Sequence, residues 1–274
     1  MNGNNSPGYN MVNDTLPITA LILTYNEEEN IRRTIAALQR VDQVIVLDSG
    51  STDKTEQIIR EFPNTTLHVR PFDNMMNQWN FGHTLAKHDW VLSLDADYRI
   101  SDELLAEIAQ LDLTKSGYEA PFRYCIYGHP IRSAVLPPRI IYYNRHQGKY
   151  IQDGHTQKLV VDGSIGKLQK PIFHDDRKNL NRWLWSQQMY SGQELSKLMN
   201  SRDSLSFVDR LRKKTFLTPF LIFFYCFFWK GGILEGRRGL FYAVQRVYAE
   251  TILVMRIMDQ KINQTEKHNN KSNL

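Results

Sequence analysis

Two aspartates one residue apart, Asp95 and Asp97, close the apolar run Trp90-Val91-Leu92-Ser93-Leu94. In an extended segment positions i and i+2 face the same way, so a buried strand ends there with two carboxylates on one side. Like charges so close repel, and the pair is costly unless a cation or a bound ligand compensates it. A divalent cation holding a diphosphate is the natural occupant, because Mg²⁺-type ions take one or two carboxylates together with phosphate oxygens. The alternative is a strand end whose solvated aspartates cap the next turn.

The segments around this pair alternate between two periods. Residues 18–25 form an apolar, β-rich run, after which Asn26 reads as a helix cap with Glu29 at the capping-box position. Ile31, Ile35 and Leu38 then recur at helical spacing. Residues 43–47 make a second buried strand, ending in Asp48-Ser49-Gly50-Ser51-Thr52-Asp53, and Asp53 with Glu56 opens the next helix in the same way. A third strand at 65–69, a helix at 75–87, the strand at 90–94 and a helix capped by Ser101 complete the series.

Short strands separated by helices predict right-handed βαβ units and a mostly parallel sheet covered on both faces. Ligands of such sheets lie beyond the carboxyl ends of the strands. Glu27 follows strand one, Asp48 strand two, and Asp95 with Asp97 strand four, so all four acids fall on one edge. The first turn, Thr24-Tyr25-Asn26-Glu27-Glu28-Glu29, contains no glycine. It has neither the dinucleotide fingerprint nor a phosphate loop, so an acidic rim would need a metal to neutralise phosphates. Carboxylates without a metal could instead accept from ribose hydroxyls or a base N–H.

At 274 residues there is room for one large domain, or one domain with an appendage. The expected division is a disordered tail at 1–15, an α/β domain at 16–200, a helical appendage at 201–262 and a disordered tail at 263–274. Residues 1–14 carry no apolar segment of the secretory kind. Cys125 and Cys226 build no disulfide framework, which suits a reducing cytoplasm. The net charge of +5 calls for an anionic partner. Its densest basic run, Arg210-Leu211-Arg212-Lys213-Lys214, precedes the aromatic stretch 216–229. Basic residues beside aromatic apolar ones favour a membrane surface over nucleic acid. That stretch is shorter than the roughly 20 apolar residues of a spanning helix, and Pro219 interrupts it. It either lies in the interface or packs as a core helix. Residues 181–199 read as an amphipathic helix, for packing rather than as a sugar platform, and Leu240, Val244, Val247, Thr251, Val254 and Met258 recur at helical intervals beyond. The expected partner of 210–258 is a membrane surface, with homodimerisation as the alternative.

Three segments resemble the family 2 glycosyltransferases of GT-A fold: Leu23-Thr24-Tyr25-Asn26-Glu27, Val46-Leu47-Asp48-Ser49-Gly50-Ser51-Thr52-Asp53, and Leu92-Ser93-Leu94-Asp95-Ala96-Asp97. Gln78-Trp79-Asn80-Phe81 and Gly231-Gly232-Ile233-Leu234-Glu235-Gly236 are similar to the bacterial lipopolysaccharide-core glucosyltransferase branch. The resemblance implies an inverting, metal-dependent transfer of a hexose from a nucleotide sugar, usually a UDP-sugar, to a cell-envelope glycan or glycolipid acceptor. Such an enzyme would sit at the cytoplasmic face of the inner membrane. It also implies roles: Thr24, Tyr25, Glu27 and Asn80 around the donor, Asp48 on the base, Asp95 on the ribose. Asp97 would ligate Mg²⁺ or Mn²⁺, with His174 as a further metal or phosphate contact. The family's general base falls in an acceptor-side segment, where related transferases have Glu before a Lys-Leu pair and this chain has Gln157. An amide cannot act as a base, which leaves Asp153 or His155. Two other readings stay open, a polyprenyl-phosphate glycosyl synthase using Arg139 and Arg145, and a sugar-nucleotide-binding protein that has lost its base.

Overall fold

The computed structural model describes residues 15–153, 156–200, 207–214 and 216–272. Its first half alternates as the periods require: β1 (Leu16–Thr24), α1 (Ile31–Ala36), β2 (Val41–Asp48), α2 (Thr55–Ile59), β3 (Thr65–Val69), α3 (Met75–Leu85) and β4 (Trp90–Asp95). These strands lie side by side in parallel, in the order β3-β2-β1-β4. Period-2 alternation sorts their side chains. Ala20, Ile22, Val44, Val46, Leu92 and Leu94 face Ile31 and Ile35 of α1 and Ile59 of α2. Leu21, Leu23, Ile45, Leu47 and Val91 face Trp79 of α3. Both faces are therefore dry, which is why the strands read as continuous apolar runs. Gly82 lets α3 approach β1 closely, since a methyl group there would lie 2.5 Å from Leu21 Cδ2.

The chain then builds β5 (Tyr98–Arg99), α4 (Asp102–Ala109), β6 (Gly117–Ala120), β7 (Phe122–Ile126), β8 (His129–Pro130), β9 (Arg139–Asn144), β10 (Gly148–Asp153), β11 (Thr156–Val161), β12 (Ile165–Lys167) and β13 (Ile172–His174). Ser101 caps α4, its side chain accepting from Leu104 N at 3.3 Å. β9 runs antiparallel to both β4 and β6, completing a seven-stranded sheet β12-β6-β9-β4-β1-β2-β3. A second small sheet, β5-β13-β7-β8, hangs from the carboxyl end of β4, and β10 pairs with β11 as a hairpin. The mostly parallel, helix-flanked α/β architecture is the one the sequence predicts, with a single antiparallel strand, β9, set between β4 and β6.

Among the described residues four helices follow: α5 (Leu180–Asn200), α6 (Phe207–Lys214), α7 (Thr218–Phe224) and α8 (Gly236–Ser272). A π-helical turn (Tyr225–Trp229) and a 3-10 turn (Gly232–Glu235) join α7 to α8. Leu198, Leu253 and Ile257 seal α5 against α8. Cys226, Tyr242 and Ala243 pack on Ile126 and Ile131, which docks the helical unit against the small sheet. Among the described residues, no helix is long and apolar enough to cross a membrane.

Three local expectations change. Asn26 is not a helix cap: it sits at φ 53°, and its Oδ1 accepts from Thr52 N at 2.8 Å, clasping the loops after β1 and β2. Helix α1 starts at Ile31 instead. Asp53 Oδ1 accepts from Thr55 N at 2.9 Å while its other oxygen accepts from Glu28 N at 3.2 Å, so it joins the two loops and opens α2 only locally. The last helix remains helical through Ser272, past the boundary drawn at 262.

Candidate functional site

Strand register builds the site. Leu23 of β1 pairs with Asp95 of β4, and Thr24 pairs with Asp48 of β2, so the carboxyl ends of three strands stand side by side. Just beyond, β13 pairs antiparallel with β5, His174 opposite Tyr98, and Asp175 N donates to Asp97 O at 3.1 Å. This pairing lays the imidazole on the second aspartate, with His174 Nε2 3.0 Å from Asp97 Oδ2. Tyr98 and Tyr124 hold the ring edge-on, with centroids at 5.5 and 5.2 Å.

Burial alone would raise the Asp97 carboxyl, but the charge and hydrogen bond of His174, with Lys178 beyond, hold it below the usual carboxylate range. His174 answers in kind: burial would lower it, and Asp97 carries it above its ordinary value. Asp95 goes the other way, raised by burial and by Asp97. Its hydrogen-bond partner is the Tyr98 hydroxyl, which in turn accepts from Arg139 Nη1 at 3.0 Å. The two aspartates thus divide their work, Asp97 facing cations and Asp95 facing a neutral hydroxyl.

Glu27 belongs to the same group. It accepts from Lys178 Nζ in a close contact and from Asn30 Nδ2 at 2.9 Å, and Asn30 Nδ2 also donates to Asp176 Oδ1 at 2.9 Å. Burial and the nearby charge of Asp97 push Glu27 up, while Lys178 pulls it back. Lys178 is placed by an anchor beneath it. Asp175, buried, accepts from Arg33 Nη1 at 2.9 Å and Arg177 Nε at 2.8 Å, which ties the segment after β13 to α1.

The other expected site residues divide. Thr24 is buried at the strand end and its hydroxyl has no hydrogen-bond partner. Tyr25 follows it, 47% exposed. Asp48 reaches the edge by register but turns its carboxylate into its own loop, accepting from Gly50 N at 2.8 Å, Ser51 N at 2.7 Å and Ser51 Oγ at 2.5 Å. Gly50 allows that turn with φ 91°. Asn80 is engaged by the hairpin: its amide donates to Tyr150 O at 2.9 Å and accepts from Tyr150 N at 3.0 Å, holding β10 on α3. Asp153 ends β10 opposite Thr156. The Asp153 side chain and all of His155 lie outside the described residues. Lys178, Asn30 and Asp176 were missed by sequence reasoning, although the dense charged run His174-Asp175-Asp176-Arg177-Lys178 was visible.

A carboxylate and an imidazole, Asp97 and His174, are donor types a divalent cation takes, whereas among the described residues the group of three such donors within 4.8 Å of one another is Glu28, Glu29 and Asp53. The 3.0 Å contact of Asp97 with His174 is a hydrogen-bonded ion pair, which a bound cation would replace.

Residues 19–153, which span both aspartates, match glycosyl transferase family 2. The chain carries a family 2 glycosyltransferase domain. Over 95 residues it is 43% identical to an uncharacterized glycosyltransferase of Rickettsia bellii, a match covering 34% of this chain and 32% of that one. The matched part therefore spans about a third of the length of such curated relatives. The lipopolysaccharide core biosynthesis glycosyltransferase LpsC of Rhizobium meliloti is 24% identical over 246 residues, covering 83% of this chain and 89% of LpsC. Among solved structures, S. aureus TarS 1–349 in complex with UDP superposes with a TM-score of 0.49 at 15% identity, covering 90% of this chain and 92% of TarS.

Proposed function

We propose that this glycosyltransferase domain moves a hexose from a UDP-sugar to a cell-envelope glycan or glycolipid, such as lipopolysaccharide core, with inversion at the anomeric carbon. The observation that carries the reading is the convergence of Glu27, Asp97, His174 and Lys178 at the carboxyl edge of the sheet. The likeness to LpsC along most of both chains supports the acceptor class.

In this reading Thr24 and Tyr25 line the nucleotide, and the unpartnered Thr24 hydroxyl bonds it. Asp95 accepts from the ribose. Asp48 fixes the loop 48–51, and its remaining acceptor position takes the base N–H, since a carboxylate offers about four such positions. Asp97 and His174 would hold Mg²⁺ or Mn²⁺, which when bound would stabilise charge on the departing diphosphate. Lys178, held by Glu27, adds fixed positive charge where the diphosphate oxygens gather. Asp153 or His155 takes the proton of the acceptor hydroxyl as it attacks from the opposite face. Arg139 donates to Tyr98, and Arg145 to His83 O at 3.3 Å, so both basic residues of the polyprenyl-phosphate alternative are engaged elsewhere.

The helical unit would place the enzyme at the cytoplasmic face of a membrane. Its stretch 216–229 divides between the two sequence readings, with Thr218, Pro219 and Cys226 buried and Phe220, Phe224 and Phe228 exposed. Trp229 and Leu234 are 84% and 89% exposed. Lys213, Lys214, Lys230, Arg237 and Arg238 neighbour this apolar face in the chain, the combination that favours anionic lipid headgroups. Incubation with a panel of nucleotide sugars, reading UDP release with and without Mn²⁺, tests the reading. Release from a UDP-hexose is expected, and silence across the panel would overturn it.

A further inference from the structure

The hairpin β10–β11 forms a two-stranded sheet of its own, and an isolated hairpin is marginal in water unless a helix or a further sheet supports it. Its support is α3. Trp79 stacks on Tyr150 with ring centroids 5.1 Å apart and planes at 11°, and Leu159 and Val161 pack beside them. Ring and apolar contacts of this kind tolerate sliding. The two hydrogen bonds of the Asn80 amide do not, because they take the N–H and the C=O of one residue, Tyr150, as a neighbouring strand would. Asn and Gln are the side chains that offer a donor and an acceptor together in one planar amide.

We propose that Asn80 is a positioning residue, which sets the height of the β10–β11 hairpin on α3 and with it the acceptor side of the transfer site, rather than a contact of the donor nucleotide. The proposal rests on the glycosyltransferase reading above.

The height is legible from contacts along α3. Gln78 lies at the carboxyl edge of the sheet, its Nε2 3.2 Å from Ser49 Oγ, just past the end of β2. One turn on, Gly82 packs against Leu21, whose partner on β4 is Ser93. Asn80 falls between the two, so Tyr150 is held level with the last residues of β4, and its hydroxyl is hydrogen-bonded to Ser93. Gly148, two residues earlier, packs instead against Tyr143 and Asn144, the partners of Val91 and Trp90 at the start of β4. β10 therefore advances in the direction of β4, toward the carboxyl edge. Three further residues, at about 3.3 Å each, carry its end at Asp153 on to the level of the acidic rim, on the α3 face. The segment expected to supply the general base begins there.

A displacement of about 1 Å at a reacting group can cost about 10²-fold in rate. Loss of the amide leaves the hairpin attached by its ring and apolar contacts but free to slide, which should slow the transfer without touching the nucleotide.

The test uses the full-length protein with a panel of UDP-hexoses, reading UDP release for turnover and calorimetry for UDP affinity. Asn80→Leu removes both hydrogen bonds at similar volume, and Asn80→Asp keeps an acceptor for Tyr150 N while losing the donor. Turnover should fall about 10- to 100-fold in Asn80→Leu and less in Asn80→Asp, with UDP affinity at the wild-type level in both. Retained UDP affinity also shows that the variants are folded, and Asn80→Asp decides alone if Asn80→Leu does not fold. Unchanged turnover would overturn the assignment. So would a UDP affinity that falls in step with turnover in a variant melting at the wild-type temperature, since that marks a donor contact. A wild type silent across the panel would instead overturn the reading beneath.

Discussion

Replacing Lys178 with methionine tests whether the acidic edge is held together by charge. Lys178 and Glu27 are a buried pair, their side chains 14% and 13% exposed. Breaking such a pair from one side typically costs about 3–5 kcal/mol, because the surviving charge is left without compensation. Total stability is about 5–15 kcal/mol, so the loss is large. Its pH dependence follows from Glu27, whose carboxyl burial and Asp97 already raise above its ordinary 4.5. Without Lys178 the folded state binds that proton more tightly still. A raised carboxyl stabilises the fold below its unfolded value and loses that contribution as pH rises through the folded one. Lys178→Met should therefore cost little near pH 4.5 and progressively more toward pH 8. Urea unfolding of the wild type, Lys178→Met, Glu27→Gln and the double variant closes the cycle, with an expected coupling of about 2 kcal/mol or more at pH 8. Costs that add to within about 0.5 kcal/mol would refute the pairing.

Gly82→Ala puts a methyl group 2.5 Å from Leu21 Cδ2, and overpacking of this kind costs about 1–3 kcal/mol, exceeding the helix-propensity gain. Thermal melting should show the loss, and Leu21→Ala should relieve it. His83 is buried, 2.6 Å from the Tyr143 hydroxyl, and burial with the charge of Arg145 lowers it to about 4. Unfolding releases it to near 6.5, so stability should fall by on the order of 3 kcal/mol as pH drops from 6.5 to 4. His83→Gln should flatten that part of the stability profile, and an unchanged slope would contradict the assignment. Phe220→Ser with Trp229→Ser should release the protein from phosphatidylserine vesicles in sedimentation assays while leaving UDP binding intact. Undiminished vesicle binding would remove the lipid role of that face.

The parts of the fold that could be read from the sequence are those decided locally. β1, β2 and β4 appear as apolar runs because both of their faces are dry, and the acids after them fall on one edge because parallel strands share a direction. The contact of His174 with Asp97 is not legible locally, since it takes the pairing of β13 with β5 to bring the two side chains to 3.0 Å. Errors arise where a distant partner outcompetes a local one. Asn26 and Asp53 have the chemistry of helix caps, yet each spends an oxygen on the opposite loop, more than twenty residues away. Lys178 meets Glu27 across 151 positions, a contact that no local pattern announces. The amide of Asn80 pairs with the backbone of Tyr150, seventy residues away, a contact its place in the sequence does not announce. The antiparallel strand β9 carries no period that distinguishes it from its parallel neighbours.

Calorimetry of UDP binding across a Mn²⁺ titration, comparing wild type with Asp97→Ala, bears most directly on the acidic edge as a cation-bridged diphosphate site. Wild-type affinity should rise with Mn²⁺ and that rise should vanish in Asp97→Ala. An identical Mn²⁺ dependence in the two proteins would contradict it.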